Sequence, residues 1–265
     1  EQPGDDNLEQ SGKIISIGID AVNAWKQSEG EDVIVAIIDT GIDISHEDLR
    51  DNIWINQAEI PGNGIDDDGN GFIDDVNGWN FTKNTCSVHD PEYAYDEWHG
   101  THIAGIIAAV KGNEKGIAGV APKAKIMPLQ VFNSGVAYTS DIIDAIGYAK
   151  QMGAKVVNCS WGATGENLAL REAMEESGLT FICAAGNSFK NIDQNPVYPA
   201  SFTSENIISV ASINRSGNLS HFSNYGQISI DVAAPGENII STTPGDGYGE
   251  SGGTSQAAAF VSGEA

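Results

Sequence analysis

Apolar residues along this chain fall into short unbroken runs, separated by segments in which they recur every three or four positions. Val33 to Ile38, Ile126 to Phe132, Val156 to Cys159, Leu179 to Cys183 and Ile207 to Val210 are such runs. A strand without polar alternation is one buried on both faces. Between the runs, Ser140 to Met152 and Asn167 to Ser177 show the apolar spacing of helices. Buried strands alternating with helices predict an α/β fold, a mainly parallel central sheet with a helical layer on each face. Ligands of such sheets bind beyond the carboxyl ends of the strands. Asp39 and the segment Cys183-Ala184-Ala185-Gly186-Asn187 both fall there.

Length and composition bound this picture. At 265 residues and 40% hydrophobic, the chain suffices for one large domain, expected over residues 13–265 with no linker-like break. Residues 1–12 are polar and acidic and read as a mobile arm, and 52–98 reads as a long Gly-, Asn- and Asp-rich insertion. There is no internal repeat, no apolar run near the roughly 20 residues of a membrane span, and no signal peptide at the start. The net charge of -24 argues against nucleic acid, whose phosphates need clustered Lys and Arg. It fits a solvated acidic surface, with cations and basic substrates as the alternative partners. Three cysteines, Cys86, Cys159 and Cys183, give neither a disulfide framework nor metal spacing. Cys159 and Cys183 end apolar runs and read as buried fillers.

Three segments carry the candidate chemistry: Asp39-Thr40-Gly41, His99-Gly100-Thr101-His102 and Gly253-Thr254-Ser255-Gln256-Ala257. They supply a carboxylate, an imidazole and a hydroxyl, in one of the orders known for serine triads. Asp39 closes a strand, where a carboxylate can orient an imidazole. His99 lies at the start of the helical run ending at Val110, facing a cleft, while His102 sits one turn on and is expected to pack inside. A His-x-x-His pair also suggests metal, but no Glu follows the first His as in the zinc-protease motif. Ser255 opens the apolar run Ala257 to Val261, and a helix N-terminus offers free N–H groups to an oxyanion. Asn187, just past a buried strand, is suited to donate to the same oxyanion.

With Gly116-Ile117-Ala118-Gly119-Val120-Ala121-Pro122 added to these motifs, the chain from about Ile19 to its end resembles the subtilases, the subtilisin-like serine proteases. The resemblance implies a triad of Asp39, His99 and Ser255, with Asn187 in the oxyanion hole. It implies that a peptide or protein substrate binds as an added strand between Asn133-Ser134-Gly135 and Ser160-Trp161-Gly162. Trp161 there suits an aromatic or apolar subsite, or simple packing. A propeptide acting as inhibitor or chaperone and a monomeric state are further implications. Where the family has Met after the nucleophile and Pro-His further on, this chain has Gln256, Ala259 and Phe260. It stops at Ala265, inside the helix that family members continue, so truncation at the C-terminus is expected.

Calcium is the expected cofactor. Asp66, Asp68, Asn70, the Phe72 carbonyl and Asp74 occupy the first ligand positions of an EF-hand loop, with Gly71 at its sharp turn. Asn77 replaces the Glu that closes such loops, leaving Asp75 or another insertion residue to compensate. A second site, implied by the resemblance, pairs Asp48 with Asn113. The expected function is a calcium-stabilised, secreted or otherwise extracytoplasmic serine endopeptidase. A protease dedicated to one precursor and an inactive peptide-binding relative are the alternatives.

Overall fold

The structure, a computed structural model, describes residues 18–93 and 98–265, so the expected arm at 1–12 lies outside the described residues. Strands β1 (Ile34–Asp39), β2 (Trp79–Asn80), β3 (Lys125–Gln130), β4 (Val156–Cys159), β5 (Thr180–Ala184), β6 (Ile207–Ile213) and β7 (Val232–Pro235) form one sheet. Its order is β2-β3-β1-β4-β5-β6-β7, and every pairing is parallel. Strands β8 (Ile239–Thr243) and β9 (Gly247–Ser251) make a separate antiparallel hairpin. The helices are α1 (Ala21–Ala24), α2 (Trp98–Ala108), α3 (Thr139–Gln151), α4 (Leu168–Ser177) and α5 (Thr254–Glu264).

Alternation along β1 divides the core into two. Val35 and Ile37 join α2 and α5 through Ile103, Ile106, Ile107 and the Ala257–Phe260 run. Ala36 and Ile38 join α3 and α4 through Ile142, Ile146, Leu170 and Met174. Both faces of the strand are therefore covered, which is why its sequence reads as continuously apolar. The fold is the α/β three-layer sandwich that the pattern predicts. Strand β3 ends earlier than its apolar run, because the N–H groups of Val131 and Phe132 both turn to the Asp39 carbonyl, at 2.9 and 3.3 Å. The insertion is more than a loop: it contributes β2, registered against β3 with Trp79 opposite Leu129.

Close helix packing relies on missing side chains. A Cβ on Gly105 would stand 2.3 Å from Thr242 Oγ1 and 2.4 Å from Ser241 Oγ. Those hydroxyls are engaged, donating to the α2 carbonyls of Thr101 and His102 at 2.8 and 2.7 Å. On α3 the situation is reversed, since a Cβ on Gly147 would meet nothing within 4 Å. Gly105→Ala should therefore lower stability by about 1–3 kcal/mol through overpacking. Gly147→Ala should raise it by about 0.5–1 kcal/mol by improving helix propensity. Midpoints of urea denaturation for the two variants, measured side by side, check both signs.

Candidate active site

Parallel topology collects the site at one edge. Asp39 ends β1, Ser160 follows β4 and Asn187 follows β5, all at the carboxyl ends of neighbouring strands. Helices α2 and α5 then bring His99 and Ser255 from their first turns. Asp39 is buried, and its Oδ1 accepts the Thr40 N–H and His99 Nδ1–H, both at 2.7 Å. A carboxylate only accepts, so this bond fixes the proton on Nδ1 and leaves Nε2 as the basic atom. Burial works against the charged imidazole of His99. The charge of Asp39 and its hydrogen bond outweigh that effect and hold the His99 pKa above its ordinary value.

Thr40 locks the approach of the two elements. Its hydroxyl accepts the Gly100 N–H at 2.9 Å. A Cβ on Gly100 would lie 2.7 Å from the Gly41 carbonyl, so a glycine beside the histidine is what lets α2 come this near. His102 is fully buried, stacks on Trp98 at 4.8 Å and donates from Nε2 to the Gly249 carbonyl at 3.2 Å. Burial above all pushes its pKa down to about 4. It packs inside as a neutral ring, as its position one turn into the helix predicts.

Ser255 is buried in the first turn of α5. Its hydroxyl donates to the Ser160 carbonyl, and the Ser160 hydroxyl donates back to the Ser255 carbonyl, both at 3.1 Å. Asn187 Oδ1 accepts the Thr254 N–H at 2.8 Å and the Thr254 hydroxyl at 3.0 Å. With its oxygen held by two donors, the amide turns its NH₂ the other way. That Nδ2 lies 3.1 Å from where a Gly253 Cβ would sit, with Gln256 Oε1 at 2.9 Å from the same point, so a side chain at 253 would displace both amides.

Several supporting residues escaped sequence reading. The Thr254 hydroxyl, besides holding Asn187, accepts the Gly186 N–H at 2.9 Å. Asn158, buried in β4, donates to the Ser160 hydroxyl at 2.8 Å and accepts from Ser262 of α5 at 2.9 Å. Thr254 stands inside a recognised motif and so was within reach; an Asn in an apolar strand is the only sequence signal for Asn158.

The expected substrate-binding segments flank β1. Asn133 and Val136 exchange backbone hydrogen bonds at 3.0 Å around Ser134 and Gly135, whose φ values of 49° and 77° make a tight exposed turn. Across from it, Trp161 donates from its indole to the Ile38 carbonyl at 2.8 Å and lies 6.4 Å from Phe132. Of the two roles open to Trp161, packing is the one with contacts. Gly162 is exposed, and a Cβ there would press on Val197 at 2.7 Å.

In the insertion, the structure gathers a different carboxylate set from the one the loop spacing suggests. Oxygens of Glu59, Asp68 and Asp75 lie within 4.8 Å of one another. Asp66 instead accepts the Asn70 and Gly71 N–H groups at 3.0 and 2.8 Å, and these hold its pKa below the usual value. Asp74, at φ 57°, turns its carboxylate to the N–H groups of Asn63 and Gly64. Asn70 stays with the cluster, donating to Asp68 at 3.2 Å and Asp75 at 2.9 Å. Phe72 packs against Tyr148, and the Tyr148 hydroxyl donates to buried Asp75 at 2.5 Å. Burial and then the charge of Asp75 and its neighbours drive the Tyr148 pKa well above normal. Three mutually close carboxylates, with neutral amides and a phenol as neighbours, suit a hard divalent cation. Asp48 and Asn113 do meet, at 2.6 Å, and Asp48 further accepts from the Ile117 N–H and Tyr248 hydroxyl.

Known proteins resemble this chain over most of its length. The model of the subtilase family matches residues 30–265. Thermitase of Thermoactinomyces vulgaris is 38% identical over 251 residues, covering 93% of this chain and 78% of its own. The major intracellular serine protease of Bacillus subtilis is 36% identical over 253 residues, 92% of this chain and 71% of its own. Among solved structures, proteases from Pseudoalteromonas arctica share 30% identity and a TM-score of 0.74 over 97% of this chain and 81% of theirs. Matched over most of its length by family and relatives alike, the chain belongs to the subtilases, the subtilisin-like serine endopeptidases.

Proposed function

We propose that the chain cleaves peptide bonds through Asp39, His99 and Ser255, and that a calcium ion in the insertion stabilises it. The observation that carries the triad is the 2.7 Å bond from His99 Nδ1 to Asp39, which leaves Nε2 free to accept a proton. The Ser255 hydroxyl rotates from the Ser160 carbonyl toward Nε2. His99 takes its proton as Oγ attacks the substrate carbonyl carbon, and Asn187 Nδ2 with the Ser255 N–H holds the oxyanion. Collapse breaks the C–N bond, and His99 protonates the leaving amine. Water, deprotonated by the same imidazole, then releases the acyl group and restores Ser255. The turn at Asn133, Ser134 and Gly135 and the segment Ser160, Trp161 and Gly162 offer their backbones to a substrate strand between them.

Glu59, Asp68 and Asp75 would hold calcium, with Asn70 beside them, and a cation there removes the mutual repulsion of the carboxylates. Asp48 and Asn113 would form a second, weaker site. Kinship does not fix the compartment, since the Bacillus subtilis relative is named as intracellular. The calcium site proposed above is the ground for an extracytoplasmic place of action.

The nucleophile is tested by fluorophosphonate labelling, which should be stoichiometric in the parent protein and absent in Ser255→Ala. Asn187→Leu should keep the label but lose about 10²–10³-fold in kcat, the range that loss of such a donor produces in subtilisin. Equal labelling of the parent and Ser255→Ala proteins would overturn the assignment.

Only neutral His99 can accept a proton, so kcat/KM should fall as pH drops through the raised pKa, with a midpoint above about 6.5. Asp39→Asn removes the pull. Its acid limb should move to lower pH while the rate drops by about 10⁴. The stability contribution has the opposite sense: it is complete below about pH 6.5 and is lost as pH rises through the folded pKa.

Removing calcium with EDTA should lower the thermal midpoint by several degrees, since saturation at 100-fold over Kd contributes about 2.7 kcal/mol. Added calcium should restore it. In Asp75→Asn the two conditions should give nearly the same midpoint, measured by circular dichroism of protein carrying Ser255→Ala.

A further inference from the structure

Helix α3 packs one side against the sheet and α4, and turns another toward the insertion across a gap of about 450 Å³. That volume lies in the range of small-ligand sites. Aromatic rings back the gap: Phe72 and Phe81 of the insertion meet Tyr148 of α3 at centroid distances of 4.9 and 6.2 Å. Asp141 and Asp144, one helical turn apart, add two carboxylates to the lining. Asp141 accepts a bond from Ser140 at 3.2 Å, and among the described residues neither Asp pairs with Lys or Arg.

Gly147 is the independent sign that this space is kept open. It lines the gap, mid-helix, where a glycine costs about 0.5–1 kcal/mol relative to alanine. Neither a left-handed φ nor a close neighbour requires it, for a Cβ there would meet open space. Its effect is to deepen the gap over the aromatic rings.

We propose that this gap binds the side chain of an arginine on a protein substrate, outside the cleft that holds the scissile bond. A guanidinium is flat, weakly hydrated and forked, so it stacks on rings while donating to carboxylates. An anionic ligand would meet Asp141 and Asp144 with the wrong sign. A neutral apolar ligand would cover both without pairing them. A bare divalent cation needs converging oxygen ligands, and among the described residues Asp141 and Asp144 belong to no cluster of three metal-ligating side chains. The first turn of α3, which carries Asp141, lies at the same sheet edge as the triad, so a bound polypeptide can reach both. The substrate role rests on the endopeptidase reading, whereas the binding itself does not.

Binding is measured on nitrogen-15-labelled Ser255→Ala protein in calcium-containing buffer, by titration with Nα-acetyl-arginine methylamide. The Gly147 amide resonance should shift and saturate, and the neutral citrulline analogue should leave it unmoved. Asp144→Asn should weaken arginine binding about tenfold through loss of one charge-assisted pair. Gly147→Leu should abolish it by filling the gap. Equal response to arginine and citrulline, no saturable shift at Gly147, or unchanged affinity in Asp144→Asn would overturn the proposal. If Gly147→Leu fails to fold, the Asp144→Asn and citrulline arms still decide. Loss of fluorophosphonate labelling in the parent protein would instead count against the triad alone.

Discussion

The buried carboxylate of Asp39 is the constraint around which the rest is arranged. A charge at the end of an apolar strand is costly unless donors meet it. Oδ1 has two, the Thr40 N–H and His99, while Oδ2 has none among the described residues. The imidazole is therefore a structural partner as well as the proton carrier of the proposed triad. Removing it would strand the charge; protonating it would satisfy the charge more fully, which is why the His99 pKa is raised. The buried charge that makes Asp39 expensive is thus what raises the proton affinity of His99.

To bring His99 there, α2 must press on the Asp39-Thr40-Gly41 turn, and Gly100 makes that contact sterically allowed. To bring Ser255 there, α5 must run beneath the sheet, and Ala257, Ala258 and Ala259 are fully buried in that packing. The glycines and alanines of the motifs are thus packing residues first. They sit beside Asp39, His99 and Ser255 because those residues project from the places where backbones come closest.

Legibility followed the strength of the local signal. Strands β1, β3, β4, β5 and β6 and helices α3 and α4 were readable because burial on both faces, or on one helical stripe, imposes a pattern on the residues themselves. Strand β7 was not, because Val232 and Ala233 are exposed and its polar surroundings resemble a loop. The β8–β9 hairpin escaped for a similar reason: β9 is Gly-Tyr-Gly-Glu-Ser, with little apolar content. The Asp, His and Ser motifs were legible as chemistry but not as geometry. Nothing in the sequence tells that Thr254 would hold Asn187, or that Glu59, at the far side of a loop, would replace Asp66 beside Asp68 and Asp75.

The acid surplus governs how these carboxylates are met. With 37 acidic residues and 13 basic ones, most carboxylates must be met by something other than Lys or Arg. Backbone N–H groups of tight loops fill that role. Asp193 takes those of Gln227, Ile228 and Ser229, and Asp66 and Asp74 take pairs of their own. Glu59 is met in the same way, by the N–H groups of Asp67, Asp68 and Asp74. Asp75 is different: it is fully buried and, among the described residues, met only by the side-chain amides of Asn56 and Asn70 and by the Tyr148 hydroxyl. Neutral donors relieve its hydrogen bonding but not its charge, and Glu59 and Asp68 add two more charges at short range. Convergence of three carboxylates, with Asp75 fully buried among them, is what would draw a cation there. Asp48 has three protein donors as well, but among the described residues it belongs to no such trio of carboxylates.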